Sequence, residues 1–451
     1  MTLKKLLIIQ QDDPYFLFET LAVLEKYHTA FRGFETTVLV SAGALRDVSG
    51  SHAPLVPGLT TDEALVRGRE FDLSVNLSLS EPSWDLHAEI RAKLKLGPCR
   101  KEGQLLVPDL WSSYLLTLKA RAPFLTFHLQ DIYRNILGIR GLPKMAVERH
   151  SSVRQIAFGF CASALFPADE QELLVQDLST LYPQLQIKEI SEVDLVSDLS
   201  HTLYLGPASL GALKFAQAGG KGIFLGSHFQ GLNMLPCSEG HLYVSSKGRA
   251  LRAADVLSIV RNEISSPGTP VASPYSIYRI ENDQASGAYV RSLNSSDDHY
   301  PFYQTHVVLW NFLLNLVEVN TEITKCTAGQ VQLLRSNHEV LAKVIRLQDY
   351  AMASIDAVYQ ESRAAVANQE TIDGHLNNLT EIDRLTDQIA GAFPLLRPVL
   401  DFYRIRRGQN DGTTLHDQSQ KSFLTYSEEH QALKALDELF TVTLRKNEAT
   451  I

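Results

Sequence analysis

Two stretches of this 451-residue chain carry residue types that could hold and transform a charged ligand. In the first, an apolar run from Leu203 leads into Gly206-Pro207-Ala208-Ser209. Small residues and Gly219-Gly220 follow, and a second apolar run ends at Gly226-Ser227. The pattern predicts a strand, a tight turn, a helix and a second strand. A helix that starts straight after a strand points its free backbone N–H groups at the turn. That end attracts anions, diphosphates included. His228 follows the second strand, where its ring would either meet a phosphate or line a loop. In the second stretch, Asp12-Asp13 follows the apolar run Leu6–Ile9. Ligands of open α/β sheets meet the C-terminal ends of strands. Asp12-Asp13-Pro14 is equally good chemistry for a turn and a helix cap.

What the chain lacks weighs against an NTPase, a zincin and a classical hydrolase. There is no Gly-x-x-x-x-Gly-Lys-Ser/Thr phosphate loop, no His-Glu-x-x-His zinc pattern and no Gly-x-Ser-x-Gly nucleophile elbow. Cys99, Cys161, Cys237 and Cys326 are scattered without a Cys-x-x-Cys pair, which predicts reduced thiols and no metal site. The net charge of −9, from 42 basic and 51 acidic residues, argues against a nucleic-acid partner. No apolar run reaches the roughly 18–20 residues of a membrane-spanning helix. The start of the chain reads as a first strand rather than a signal peptide, since Gln10-Gln11-Asp12-Asp13 follows only four apolar residues, and it points to a cytoplasmic protein.

The elements that must position these residues alternate in type. Leu6–Ile9, Thr37–Val40 and Phe71–Ser78 read as strands, with a helix over Tyr15–Tyr27 and another over Leu86–Lys95. From about 150, Gln155–Phe160, Gln186–Ile190, Leu203–Gly206 and His241–Val244 read as strands. They are interleaved with helices over Asp169–Leu181, Val193–Ser200 and Ala253–Glu263. Strands spaced by helix-length segments indicate parallel sheets. The expected fold class is therefore α/β, with two Rossmann-like domains facing a cleft over 1–148 and 149–265. Residues 266–302, rich in Ser, Pro, Asn and Asp, read as a linker with one strand over Tyr275–Ile280. Residues 303–451 read as a helical extension. Apolar residues from Val331 to Tyr359 recur at three/four spacing, a polar loop spans Gly408–Gln420, and a final helix covers Glu428–Arg445.

The motif order over roughly residues 1–265 resembles glycosyltransferase family 9, the ADP-heptose:lipopolysaccharide heptosyltransferases. Gly206-Pro207 and Gly226-Ser227 match its nucleotide-sugar half, and Phe71-Asp-Leu-Ser-Val-Asn-Leu77 resembles a strand of its first half. Trp111-Ser-Ser-Tyr114, Phe127-His-Leu-Gln-Asp-Ile-Tyr133 and Glu239-Gly240-His241 resemble further stretches. The resemblance implies a GT-B enzyme that moves a sugar, heptose by family default, from an ADP-linked donor to a cell-surface glycolipid or glycan. It also implies work in bacterial lipopolysaccharide synthesis, at or near the inner membrane. No resident cofactor or metal is implied; the nucleotide-sugar is a substrate. The donor would be held by Gly206, Pro207, Ala208, Ser209, Gly226, Ser227 and His228. Glu239 and Gly240 would hold its ribose or form a plain turn, and His128 and Asp131 would orient the acceptor or form a helix-surface pair. Trp111, Tyr114 and Phe127 would stack on sugar or fill a core.

The chain departs from the family where chemistry is done. The aspartate that serves the family as base aligns with Phe16, so the role would pass to Asp13, with Asp12 beside it. The family's basic residue after the first strand of the second domain is missing from Cys161–Pro167. Lys214 and Lys221 would either replace it or stay solvated. These departures keep a second reading open: a non-catalytic binding or scaffold protein that keeps the fold and uses 303–451 to contact a protein partner or a second copy of itself.

Overall fold

The computed structural model describes residues 3–48, 58–119, 126–139, 153–189, 201–227, 235–236, 239–267, 269, 272–283, 287–294, 300–314, 326–364, 368–409 and 412–448. The expected helix over Val193–Ser200 lies outside the described residues for all its length, as do His228 and Cys237.

The first half runs β1 (Lys4–Gln10), α1 (Pro14–Lys26), β2 (Phe34–Val40), α2 (Ala42–Val48), β3 (Leu59–Thr60), α3 (Glu63–Arg67), β4 (Glu70–Asn76), α4 (Glu81–Glu89) and β5 (Arg91–Leu96). Its five strands lie in the order β3-β2-β1-β4-β5, all parallel. The order reverses between β1 and β4, which makes that the switch point of a doubly wound sheet. Leu6, Ile8, Val38 and Val75 are buried in the principal core; Leu7, Ile9 and Leu39 are buried in a second cluster on the opposite face. A small hairpin, β6 (Cys99–Lys101) and β7 (Gln104–Leu106), precedes α5 (Leu110–Lys119) and α6 (Leu129–Ile136).

The helix expected over Leu86–Lys95 ends at Glu89. The second part of that stretch is β5, an edge strand paired only with β4. Arg91-Ala-Lys-Leu-Lys-Leu96 alternates with period two, and its Lys and Arg are the charged residues that protect an exposed edge.

The second half runs β8 (Gln155–Phe158), α7 (Ala168–Leu181), β9 (Gln186–Glu189), β10 (Thr202–Pro207), α8 (Leu210–Gln217), β11 (Lys221–Gly226), β12 (Leu242–Ser245) and α9 (Ala253–Ser265). Its parallel strands lie in the order β9-β8-β10-β11-β12, with the switch point between β8 and β10. The stretch expected as a linker supplies a hairpin, β13 (Ser276–Asp283) and β14 (Gly287–Ser292). It adds antiparallel to β12 and completes a seven-stranded sheet.

The C-terminal part is helical: α10 (Tyr300–Leu313), α11 (Ala328–Arg363), α12 (Gln369–Ala392), α13 (Arg397–Arg407) and α14 (Leu415–Glu448). Thr327 and Gln330 close a capping box on α11. α11 and α14 run antiparallel, tied by His338–Asp437 at 3.0 Å and His430–Asp349 at 3.1 Å. α14 starts thirteen residues before the predicted Glu428 and absorbs part of the expected polar loop. These helices share the first half's core. Trp310 of α10 lies between Tyr114 of α5 (4.7 Å) and Phe402 of α13 (5.3 Å). Among the described residues, no helix is long and apolar enough to cross a membrane.

Candidate functional site

A cavity of about 550 Å³ opens at the switch point of the second sheet. Ala162, Ala164 and Leu165 line it from the loop after β8, Pro207–Leu210 from the turn after β10, and Leu225–Ser227 from the end of β11. Tyr15 reaches it from α1 of the first half, so the cavity spans the cleft between the halves. A crevice at the C-terminal ends of strands beside a switch point is where open α/β sheets bind ligands.

The sequence builds this site through close approach and capping. A side chain at Gly206 would crowd the Gly159 carbonyl and the Tyr204 hydroxyl; one at Gly226 would collide with the Tyr243 hydroxyl. Both strands therefore end in residues that let the tyrosines rise beneath the turns. Ser209 caps α8, its Oγ accepting from the Ala212 amide at 3.2 Å. The amides of Leu210 and Gly211 precede any intrahelical acceptor, as at every helix start, and face the turn. α8 also docks on the first half: Leu213 joins that half's core and Leu210 packs against it.

Among the described residues one charged side chain lines the cavity, Arg249. It follows the turn Ser246-Lys247-Gly248, in which Lys247 (φ 56°) and Gly248 (φ 74°) are both left-handed. Sequence reasoning missed it. The available signal was a Lys and an Arg just past the C-terminal end of a parallel strand.

The corresponding crevice of the first sheet is filled. At the β1/β4 switch point the Gln10 side chain donates to Thr20 Oγ1 (3.3 Å), the Leu77 carbonyl (3.3 Å) and Tyr133 Oη (3.1 Å). The Gln11 amide donates to Ser78 Oγ at 2.7 Å, and Asp12 Oδ2 accepts from the Leu79 amide at 2.7 Å. Asp13 caps α1: its Oδ1 accepts from Tyr15 N (3.0 Å) and Phe16 N (3.3 Å). Its Oδ2 has no partner among the described residues, and the residue is exposed.

Behind the cavity lies a buried polar group that the sequence did not reveal. Glu19 of α1 is 1% exposed, and its Oε2 accepts from Gln130 Nε2 at 2.6 Å. Burial pushes its carboxyl up to about 8. His128, fully buried, caps α6 by accepting from the Gln130 amide at Nδ1, so its proton sits on Nε2. That N–H donates to the carbonyl of Leu235, whose residue lines the cavity. Burial lowers His128 to about 3. Glu19 and His128 stand 3.9 Å apart, within ion-pair distance, yet burial leaves both uncharged at neutral pH.

The structure thus gathers Pro207, Ala208, Ser209, Gly226 and Ser227 around one cavity, with Gly206 just beneath it. It does not bring Glu239 and Gly240 there. They precede β12, whereas the cavity lies past its far end, with roughly 16 Å of strand between at about 3.3 Å per residue. His128 and Asp131 do not form an exposed acceptor face. The first bonds Leu235, and the second is buried with Arg134 at 3.6 Å. Lys221 pairs with buried Glu263, and Lys214 reaches the Asp47 carbonyl at 3.3 Å. Trp111, Tyr114 and Phe127 pack on one another in the core.

No protein-family model matches the chain, and no curated protein does. Among solved structures it is similar to the E. coli heptosyltransferase WaaC with ADP. The two share 11% identity over 58% of this chain and 99% of that one, at a TM-score of 0.38. It is also similar to a family 9 glycosyl transferase from Veillonella parvula DSM 2008, with 13% identity over 56% and 91% of the chains and a TM-score of 0.34. Likeness at that level transfers no function, which leaves the geometry of the site to support one.

Proposed function

We propose that the protein is a glycosyltransferase that takes a sugar from a nucleoside-diphosphate donor held in the second-half cavity and passes it to a glycan or glycolipid hydroxyl. The observation that carries this reading is the cavity itself. It lies at a switch point, beside a helix start, with one cation and no carboxylate among its described lining residues. Its size suits a ligand larger than free phosphate. The acceptor hydroxyl would lose its proton to Asp13 Oδ2 while its oxygen bonds the anomeric carbon and the bond to the diphosphate breaks. Capping through Oδ1 fixes this carboxylate two residues before Tyr15, which touches the cavity. A donor bound by amides and an arginine needs no metal to offset the leaving charge.

Calorimetry with ADP, UDP and GDP tests the donor site. One nucleotide should bind saturably, and Ser209→Trp, which fills the cavity, should abolish that binding. Absence of binding by all three at millimolar concentration overturns the reading. The same lining, with no carboxylate among its described residues, favours a second reading in which the cavity binds a nucleotide without turnover. Nucleotide binding with no sugar transfer, and no effect of Asp13→Asn, would select it.

A further inference from the structure

We propose that Arg249 is the phosphate anchor of this site, holding the diphosphate together with the start of α8. The inference rests on the nucleoside-diphosphate reading above and gives it a residue. Among the described residues, Arg249 is the sole charged side chain lining the cavity. It is exposed, and among the described residues no carboxylate pairs with it. An arginine with a structural role is normally anchored by a carboxylate, as Arg279 is by Glu263 at 2.8 Å and Arg100 by Glu81 at 2.8 Å. Arg249 has the cavity instead.

The backbone fixes where this side chain starts. The Arg249 amide donates to the Ser246 carbonyl at 3.1 Å and closes a turn whose two central residues are left-handed. That turn is bonded to the end of β11: Ser246 N donates to Gly226 O at 2.9 Å and Gly248 N to Ser227 O at 2.7 Å. Gly226 and Ser227 line the cavity, so the strand end that forms its floor also sets the root of the arginine. A guanidinium offers two parallel N–H groups to a phosphate. Held at the leaving group, it would also stabilise the charge that grows there during transfer.

The test uses the full chain and three probes: ADP and inorganic pyrophosphate by calorimetry, and adenosine by ligand-observed NMR. Arg249→Ala should weaken ADP and pyrophosphate alike, by about 10- to 100-fold, as expected for losing a hydrogen-bonded charged partner. Adenosine binding should be unchanged. Arg249→Lys, which keeps charge but not the fork, should fall between. If ADP binds equally well to wild type and Arg249→Ala, the anchor is wrong and the donor site stands. If wild type binds none of ADP, UDP, GDP and pyrophosphate, the donor reading falls and takes the anchor with it; if UDP or GDP binds in place of ADP, that nucleotide and its nucleoside replace ADP and adenosine in the comparison. If Arg249→Ala weakens adenosine as much as ADP, the arginine supports the loop rather than the phosphate, and the inference is overturned.

Discussion

Replacing Glu19 by glutamine should stabilise the protein, increasingly so as pH rises. Glu19 is 1% exposed, and burial raises its carboxyl from an ordinary 4.5 to about 8; the Gln130 hydrogen bond opposes the rise without cancelling it. Below pH 4.5 the carboxyl is protonated in both folded and unfolded chains, and burial carries no ionisation cost. Between 4.5 and 8 the unfolded chain gives up the proton and the folded chain keeps it. Stability therefore falls with rising pH by up to about 1.4 kcal/mol per pH unit. The loss is about 3 kcal/mol by pH 7 and about 5 kcal/mol above pH 8, as order-of-magnitude figures. Glutamine keeps an oxygen for the Gln130 amide and never ionises, so this loss disappears. Urea midpoints of wild type and Glu19→Gln, compared at pH 5, 7 and 9, should diverge with pH. Other titrating groups cancel in the difference. A gap that stays flat from pH 5 to 9 would refute the premise that Glu19 is held uncharged.

Four further outcomes follow from named contacts. Asp13→Ala should cost about 1 kcal/mol through loss of the α1 cap, whereas Asp13→Asn should keep the melting temperature and, if Asp13 is the base, lose sugar transfer. Gly226→Ala should destabilise by about 1–3 kcal/mol through collision with the Tyr243 hydroxyl; a double-mutant cycle with Tyr243→Phe should show coupling, and strict additivity would deny the contact. Trp310→Ala should cost about 3–5 kcal/mol and, because Trp310 bridges Tyr114 and Phe402, should expose the first half and the C-terminal helices together in hydrogen exchange. On the acid side, burial holds His128 at about 3 and His87 and His306 at about 4. The unfolded chain takes up these protons below about pH 6.5, so each histidine should lower stability by about 2 kcal/mol at pH 5, read as a falling urea midpoint from pH 6.5 to 5.

Much of the frame was legible because local pattern and burial agree. The apolar runs at Leu6–Ile9 and Leu203–Gly206 became β1 and β10, and Asp13 and Ser209 cap the helices that follow them. β5 was hidden because Ala, Leu, Lys and Arg favour helices, and only its alternation and edge position made it a strand. The hairpin of β13 and β14 was hidden by Ser, Pro and Asn flanks that resemble a linker. Within the site, Pro207–Ser209 and Gly226–Ser227 could be read because turn chemistry is local. Glu19, His128 and Leu235 could not. Their meeting joins residues up to 216 positions apart, and nothing in the short-range pattern around Glu19 separates it from an exposed helix residue.

The two halves have divided a symmetric opportunity unequally. Each sheet has a switch point, and each could hold a ligand at its strand ends. In the first, Gln10 spans the crevice and bonds three partners, so a ligand there would have to displace hydrogen bonds already made. In the second, the strand ends carry Gly206 and Gly226 with buried tyrosines beneath them, and the space above stays open. The first half nevertheless shapes that space. It contributes Tyr15, it receives Leu213 of α8 into its core, and its His128 holds the Leu235 carbonyl at the cavity wall. Opening the cleft would exchange the His128 bond to the Leu235 carbonyl for bonds to water, at a net cost of about 0.5–1.5 kcal/mol. A donor that bridges Tyr15 and the α8 turn would therefore bind a cavity whose two walls are already held together.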